Sequence, residues 1–338
     1  MTTNLVIALV LVFAFAFTNG IHDASNAIAT LVATRAATPA QAMLLATVFN
    51  TLGPLLVGAA VADTIGGIVA IDGRAAIEVI AAGLVAAVAW NLLTWRLGLP
   101  SSSGHALVGG LVGAALVKGG THAVHWGGLD DLRPVGVIGT ALALALALAP
   151  VLGALAALFT TRALRRGLRR ATRRWRRPLR AGEWAMSAGL AFSHGANDAQ
   201  KAVGLLAALL VADGRLASPS APTWAVLACA GALTAGTAIG GWRIVKKVGR
   251  GIYRIQPAEG LASQTASAGV IFGASLAGAP VSTSQVVASS IVGVGGGRRR
   301  WRHVRWAAVG DMALAWALTI PATAALGGLM LLMLGGIA

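Results

Sequence analysis

The sequence predicts an all-α membrane protein made of two inverted five-segment repeats with broken or re-entrant helices, and three observations carry that expectation. The composition suits lipid: 338 residues, 57% hydrophobic and 11% charged, with mean hydropathy +0.76. Soluble chains carry roughly a quarter charged residues. The second observation is a copy: Phe17-Thr18-Asn19-Gly20-Ile21-His22-Asp23-Ala24 returns as Phe192-Ser193-His194-Gly195-Ala196-Asn197-Asp198-Ala199. The third is another pair at a similar distance. Gly98-Leu99-Pro100-Ser101-Ser102-Ser103 returns as Gly278-Ala279-Pro280-Val281-Ser282-Thr283, each leading into an apolar run with Val-Gly.

A spanning helix needs about 20 apolar residues. In the first half such segments cover 4–34 (with a polar break at the motif), 41–62, 75–97, 104–117 and 134–159. In the second they cover 184–212 (again broken), 223–242, 259–278, 282–295 and 306–335. The organisation expected is a first repeat over 1–160, a basic cytoplasmic linker over 161–183 and a second repeat over 184–338. The runs 104–117 and 282–295 are short for a ~30 Å core at ~1.5 Å per residue. Segments 75–117 and 259–295 are therefore either paired spans or re-entrant hairpins tipped by the serines. The N-terminus has no basic n-region, so the first run reads as a retained span. Trp90, Trp95, Trp126, Trp184, Trp224, Trp242, Trp301, Trp306 and Trp316 mostly sit at segment ends and read as an aromatic belt.

The net charge of +16 lies in three clusters between apolar segments: Arg162 to Arg180, Lys246 to Arg254 and Arg298 to Arg305. Cytoplasmic loops look like this, and no soluble domain is left to bind nucleic acid. The linker arginines recur as a helical stripe from 162 to 177 that suits an anionic membrane surface; a solvated loop is the plainer alternative. With the linker inside, counting spans places the other two clusters inside, together with Arg35 and Arg96, and both termini outside. Five segments per half then set the halves in opposite orientations. Cys229 stands alone in an apolar segment, which excludes a disulfide framework or cysteine metal site. No HExxH, CxxC or P-loop pattern is present, so neither an enzyme nor a bound cofactor is expected.

Asp23 and Asp198 are the strongest functional signals. An intramembrane carboxylate costs at least ~2.5–3.5 kcal/mol and marks a candidate site; the alternative is a cap on a broken helix. Asn26 and Asn197, with Asn19, add amides nearby, and Asp23, Asn26, Asn197 and Asp198 together offer the hard oxygens Na⁺ prefers. Ser101, Ser102 and Ser103, and likewise Ser282, Thr283 and Ser284, precede apolar helices. Free N–H groups, hydroxyls and the positive dipole end make such termini anion sites. Lys201, three residues after Asp198, either pairs with it or touches the anion; snorkelling to an interface is the alternative. His22 and His194 each accompany a carboxylate and would suit proton relay; a hydrogen-bonded structural role is the alternative reading for these and His105. An anion beside two carboxylates is repelled unless cations or protons intervene. That coupling of anion to cation, on a duplicated scaffold, points to a secondary carrier.

At these motifs the chain resembles the inorganic phosphate transporter (PiT) family, from Asn19-Gly-Ile-His-Asp-Ala-Ser-Asn-Ala-Ile-Ala-Thr30 to Pro321. The likeness includes Trp90-Asn91, Pro100 to Ser103 with His105, Phe192 to Lys201 and Pro280 to Thr283. The resemblance implies an inverted-repeat symporter importing inorganic phosphate with H⁺ or Na⁺, in the cytoplasmic membrane, as a homodimer in the lipid bilayer. The His-Asp form of the first motif is similar to the proton-coupled, metal-phosphate branch of bacteria. Gln285 and Gly104 depart from it, standing where His and Ser or Thr are usual. A sulfate carrier on the same scaffold is the nearest rival, and an anion channel the rival from another class.

Overall fold

The computed structural model describes residues 2–126, 138–170, 175–298 and 300–335. The start of the fifth apolar segment (134–137), Arg173 and Arg174 of the linker stripe, and Arg299 lie outside the described residues. Lipid leaves the backbone only its own hydrogen-bond partners, so apolar runs close into helices. The first half holds α1 (Thr3–Ala33), α2 (Pro39–Leu56), α3 (Ala60–Gly66), α4 (Gly73–Leu97), α5 (Ser103–Gly119) and α6 (Ile138–Gly167). The second holds α7 (Arg176–Ala212), α8 (Thr223–Ile239), α9 (Trp242–Gly251), α10 (Pro257–Leu276), α11 (Thr283–Gly297) and α12 (Trp306–Gly335). Among the described residues four helices are long and apolar enough to cross a membrane, and six if the bent pairs α2–α3 (79°) and α8–α9 (73°) each count as a broken span. The protein is a multi-pass membrane protein. Helices α6 and α7 both extend into the stretch read as linker, ending at Gly167 and starting at Arg176.

The break expected at the duplicated motif is absent, because α1 and α7 run through it as continuous helix. Neither aspartate is a helix cap. The glycines that read as breakers are contact points instead. A side chain on Gly20 would collide with the Leu233 carbonyl of α8, and one on Gly195 with the Asn50 carbonyl of α2. Each glycine costs a helix about 1 kcal/mol, offset here by the close backbone approach that membrane helices use in place of hydrophobic burial. The real breaks fall at 57–59 and 240–241, and before α5 and α11.

The two halves are paired by reciprocal contacts. α1 lies along α8 and α9, as α7 lies along α2 and α3; α5 and α4 pack on α12, as α11 and α10 pack on α6. α1 and α7 run antiparallel: Trp184, early in α7, donates to the Ala36 carbonyl just past α1, and Ser187 donates to the Ala27 carbonyl. Helices α4–α5 and α10–α11 form hairpins turned by Gly98 (φ 65°) and Gly278 (φ 69°), left-handed positions that favour glycine. The feet of the first hairpin meet at the Val69–Val124 bridge. Its tip reaches α1, where Ser103 donates to Asn19 and Asp23. Trp316 of α12, expected only as a belt anchor, donates to the Pro100 carbonyl at that tip (2.9 Å).

Candidate functional site

Both hairpin tips aim a helix N-terminus at the place where α1 and α7 cross. Ser102 caps α5 by accepting from the His105 N–H (3.1 Å), and Ser282 caps α11 by accepting from the Gln285 N–H (3.4 Å). With those two oxygens engaged in capping, the hydroxyls that meet the carboxylates are the next ones along. Ser103 and Ser284 donate to Asp23, and Thr283 donates to Asp198. Ligand atoms of Asp23, His194 and Asp198 lie within 4.8 Å of one another, and all three residues are buried. The crossing thus gathers residues from four helices and both halves.

The two carboxylates are related by the duplication yet differently neutralised. Asp23 accepts from Ser103 (2.7 Å) and Ser284, with His22 Nδ1 at 3.2 Å. Asp198 accepts from Thr283 (2.9 Å), has His194 Nε2 at 2.8 Å, and receives the Lys201 ammonium. The register of the copies explains the difference. Ser284, which reaches Asp23, corresponds to Gly104; Asn26, which donates to Thr283 (3.2 Å) and Ser284 (3.1 Å), corresponds to Lys201. Lys201 Nζ would lie 3.0 Å from a side chain at Gly104, so the amine takes the space of the missing hydroxyl. It also donates to the Val281 carbonyl (3.0 Å) and is 1% exposed. Snorkelling is thereby ruled out for Lys201. The glycine that departs from the family pattern makes room for the lysine.

Other residues form a supporting layer. Ser101 lies with Thr94 against His22 Nε2, each 3.2 Å away, so it orients the imidazole rather than facing the carboxylates. Asn19 accepts from Ser103 (2.7 Å), while its Nδ2 has no partner among the described residues. Asn197 turns its amide to Ser275 (3.1 Å) and the Ala279 carbonyl (3.1 Å), bracing the second hairpin, and its Oδ1 has no partner among the described residues. Of the four residues considered for Na⁺, the two aspartates lie together with His194, while Asn26 directs its Nδ2 group to the Thr283 and Ser284 hydroxyls and Asn197 directs its own to the Ser275 hydroxyl. Gln285 pairs with His105 (3.3 Å). Sequence reasoning missed Thr94 and Asn50, whose Oδ1 lies 3.1 Å from His194 Nδ1. Both are polar residues inside apolar segments, a signal too common to single them out.

The arrangement suits charge balance rather than covalent chemistry. Two buried carboxylates, one fixed ammonium and two imidazoles face two helix N-termini, in a scaffold of duplicated halves with bent spans. That class is a membrane carrier with no covalent chemistry of its own. The chain belongs to the phosphate transporter family, whose profile matches it twice, over residues 19–181 and 168–327. It is 38% identical over 322 residues to a probable low-affinity inorganic phosphate transporter of Rhizobium meliloti (strain 1021), covering 93% of this chain and 92% of that one. A protein of the same description from Bacillus subtilis (strain 168) is 37% identical over 326 residues, covering 96% and 95%. A solved structure described as the sodium-dependent phosphate transporter shares the fold, with TM-score 0.80 at 24% identity over 100% of both chains.

Proposed function

We propose that this protein is a secondary active symporter that imports inorganic phosphate, free or as a metal-phosphate, coupled to H⁺ across the cytoplasmic membrane. The observation that carries the reading is the convergence of two serine-started helices on a pair of buried carboxylates. The N–H groups at the two helix starts and the hydroxyls of Ser103, Thr283 and Ser284 would bind the oxyanion, with Asn26 beside it. Phosphate carries a proton and needs an acceptor, which a carboxylate oxygen of Asp198 or the carbonyl oxygen of a protonated Asp23 would supply; sulfate would want donors alone. The antiparallel crossing of α1 and α7 supports inverted halves, and the reading includes a homodimer in the bilayer.

Charge counting assigns different roles to the carboxylates. Lys201 neutralises Asp198 permanently, so with neutral imidazoles the site carries one net negative charge, on Asp23. An anion ~4 Å from that charge meets about 4 kcal/mol of repulsion at an effective dielectric near 20, or nearly a thousandfold in affinity. Phosphate therefore binds after Asp23 has gained a cation. His22, against Asp23 and hydrogen-bonded outward to Thr94 and Ser101, offers a proton path to it. Na⁺ is the second reading, favoured by the closeness of Asp23 and Asp198.

Radiolabelled phosphate uptake into proteoliposomes decides among these. An inward pH gradient without sodium should drive accumulation, and a protonophore should collapse it. Uptake that needs sodium and ignores the protonophore selects the second reading. Stronger inhibition by sulfate than by unlabelled phosphate selects a sulfate carrier, and absence of uphill uptake under either gradient selects a channel.

A further inference from the structure

The two sides of the central site differ in polarity far more than their common origin requires. Along one face of α1, Asp23 and Asn26 are followed by Thr30 and Thr34. Thr30 accepts from Gln264 of α10 (2.7 Å), which also donates to Ser187 of α7 (3.0 Å). One turn further along all three helices come Thr34, Gly260 and Glu183. Glu183 is fully buried, and among the described residues neither carboxylate oxygen has a hydrogen-bond partner. The Thr34 hydroxyl beside it donates to the Leu31 carbonyl instead. Any side chain at Gly260 would collide with Glu183 Oε1, so the glycine makes the carboxylate's space. Beyond this layer, Thr34 lines a cavity of about 840 Å³ bordered by Arg35, Arg254, Arg300, His303 and Arg305.

The duplication supplies the control. In the register that places Asp23 on Asp198, Thr30 and Thr34 correspond to Leu205 and Leu209, Ser187 to Val12 and Glu183 to Ala8. Gln264 and Gly260 correspond to Leu84 and Ile80 in the register of the hairpins. All six of these counterparts belong to one apolar core cluster. One side of the site is apolar, while the equivalent place on the other holds a ladder of hydroxyls and amides ending in a carboxylate. Buried carboxylates without partners are costly and need a reason, and packing provides none, since alanine serves at the matching position.

We infer that Glu183 is a second proton-accepting site, receiving the transported proton from Asp23 through the Thr30–Gln264–Ser187 layer and releasing it into the arginine-lined cavity. This rests on the proton-coupled reading. The proton leaves Asp23, restoring its negative charge and expelling the anion on the same side; Glu183 takes it and gives it to water in the cavity. Charged groups adjacent to this layer along the chain are Arg180, one turn before Glu183 on α7 and exposed, Arg35, which follows Thr34, and Glu259, which precedes Gly260 on α10 and is held by Arg298 and the Gln256 N–H (2.7 Å). The basic rim favours proton departure and attracts the released anion.

The test is Glu183→Gln, nearly the same shape and unable to titrate, in reconstituted full-length protein. Net phosphate accumulation driven by a pH gradient should fall about tenfold or more and lose its dependence on pH in the compartment facing the basic loops. Phosphate–phosphate exchange at equal pH, which needs no proton release, should fall by less than about threefold, and Glu183→Asp should recover part of the net uptake. Wild-type accumulation by Glu183→Gln overturns the assignment, and so does equal loss of exchange and net uptake, which marks a merely structural residue. If the wild-type protein itself ignores the pH gradient and needs sodium, the coupling reading falls and this site with it. A pH-driven wild type with an unaffected Glu183→Gln variant refutes this site alone.

Discussion

Replacing Lys201 with Met tests the charge balance of the site most directly. The ammonium is buried, donates to Asp198 and the Val281 carbonyl, and shares its surroundings with His194 and Thr283. Lys201→Met keeps the length of the side chain and removes its charge, leaving Asp198 buried with only an imidazole and a hydroxyl. Removing one partner of such a pair costs about 3–5 kcal/mol. Asp198→Asn leaves the ammonium stranded and should cost a similar amount. The double variant is neutral and should recover most of the summed loss, because a buried pair exchanged for uncharged groups of like volume is close to neutral. Thermal unfolding of the purified proteins, followed by tryptophan fluorescence, should place the double variant above both single variants. Transport adds a second readout. Without the fixed cation two carboxylates need neutralising, so uptake by Lys201→Met should move to more acid pH than wild type. Strictly additive losses, with the double variant least stable of the three, would show that Lys201 and Asp198 are not a pair. An unmoved pH profile would refute the charge count.

Asp23→Asn should abolish gradient-driven accumulation while phosphate binding, measured by calorimetry, becomes independent of pH; retention of uphill uptake would move coupling elsewhere. Ser284→Ala removes a donor to Asp23 and a cross-half link to Asn26, worth about 1.5–3 kcal/mol for a charged acceptor, and should raise the half-saturating phosphate concentration at least about tenfold. Gly104→Ala puts a methyl group at 3.0 Å from Lys201 Nζ and should reduce uptake, whereas Gly104→Ala with Lys201→Asn should regain part of it. Cysteines introduced near Arg170 and Arg300 should label from one face of the membrane only, and those near Thr121 and Ser218 from the other; labelling of the Arg170 and Ser218 sites from the same face would contradict inverted halves.

Features that depend on neighbours in the chain were legible in the sequence. The copied motif, the serine breaks after Pro100 and Pro280, and the caps at Ser102 and Ser282 are local matters of backbone and helix chemistry, as is the spacing of Asp198, His194 and Lys201 on one helix. Hydropathy gave the membrane class, since lipid admits little besides apolar helices. What tertiary structure decided is everything that joins residues far apart. Gly20 and Gly195 read as helix breakers because local propensity knows nothing of the carbonyls of Leu233 and Asn50 packed against them. Ser284 meets Asp23 across 261 residues, and Lys201 fills the gap at Gly104 only because the second half's first helix faces the first half's hairpin. The same holds for Glu183. In sequence it is one acid at the edge of an arginine-rich stretch, where a solvated salt bridge is the ordinary expectation. Helices α1 and α10 close over it, and that burial is settled by packing alone.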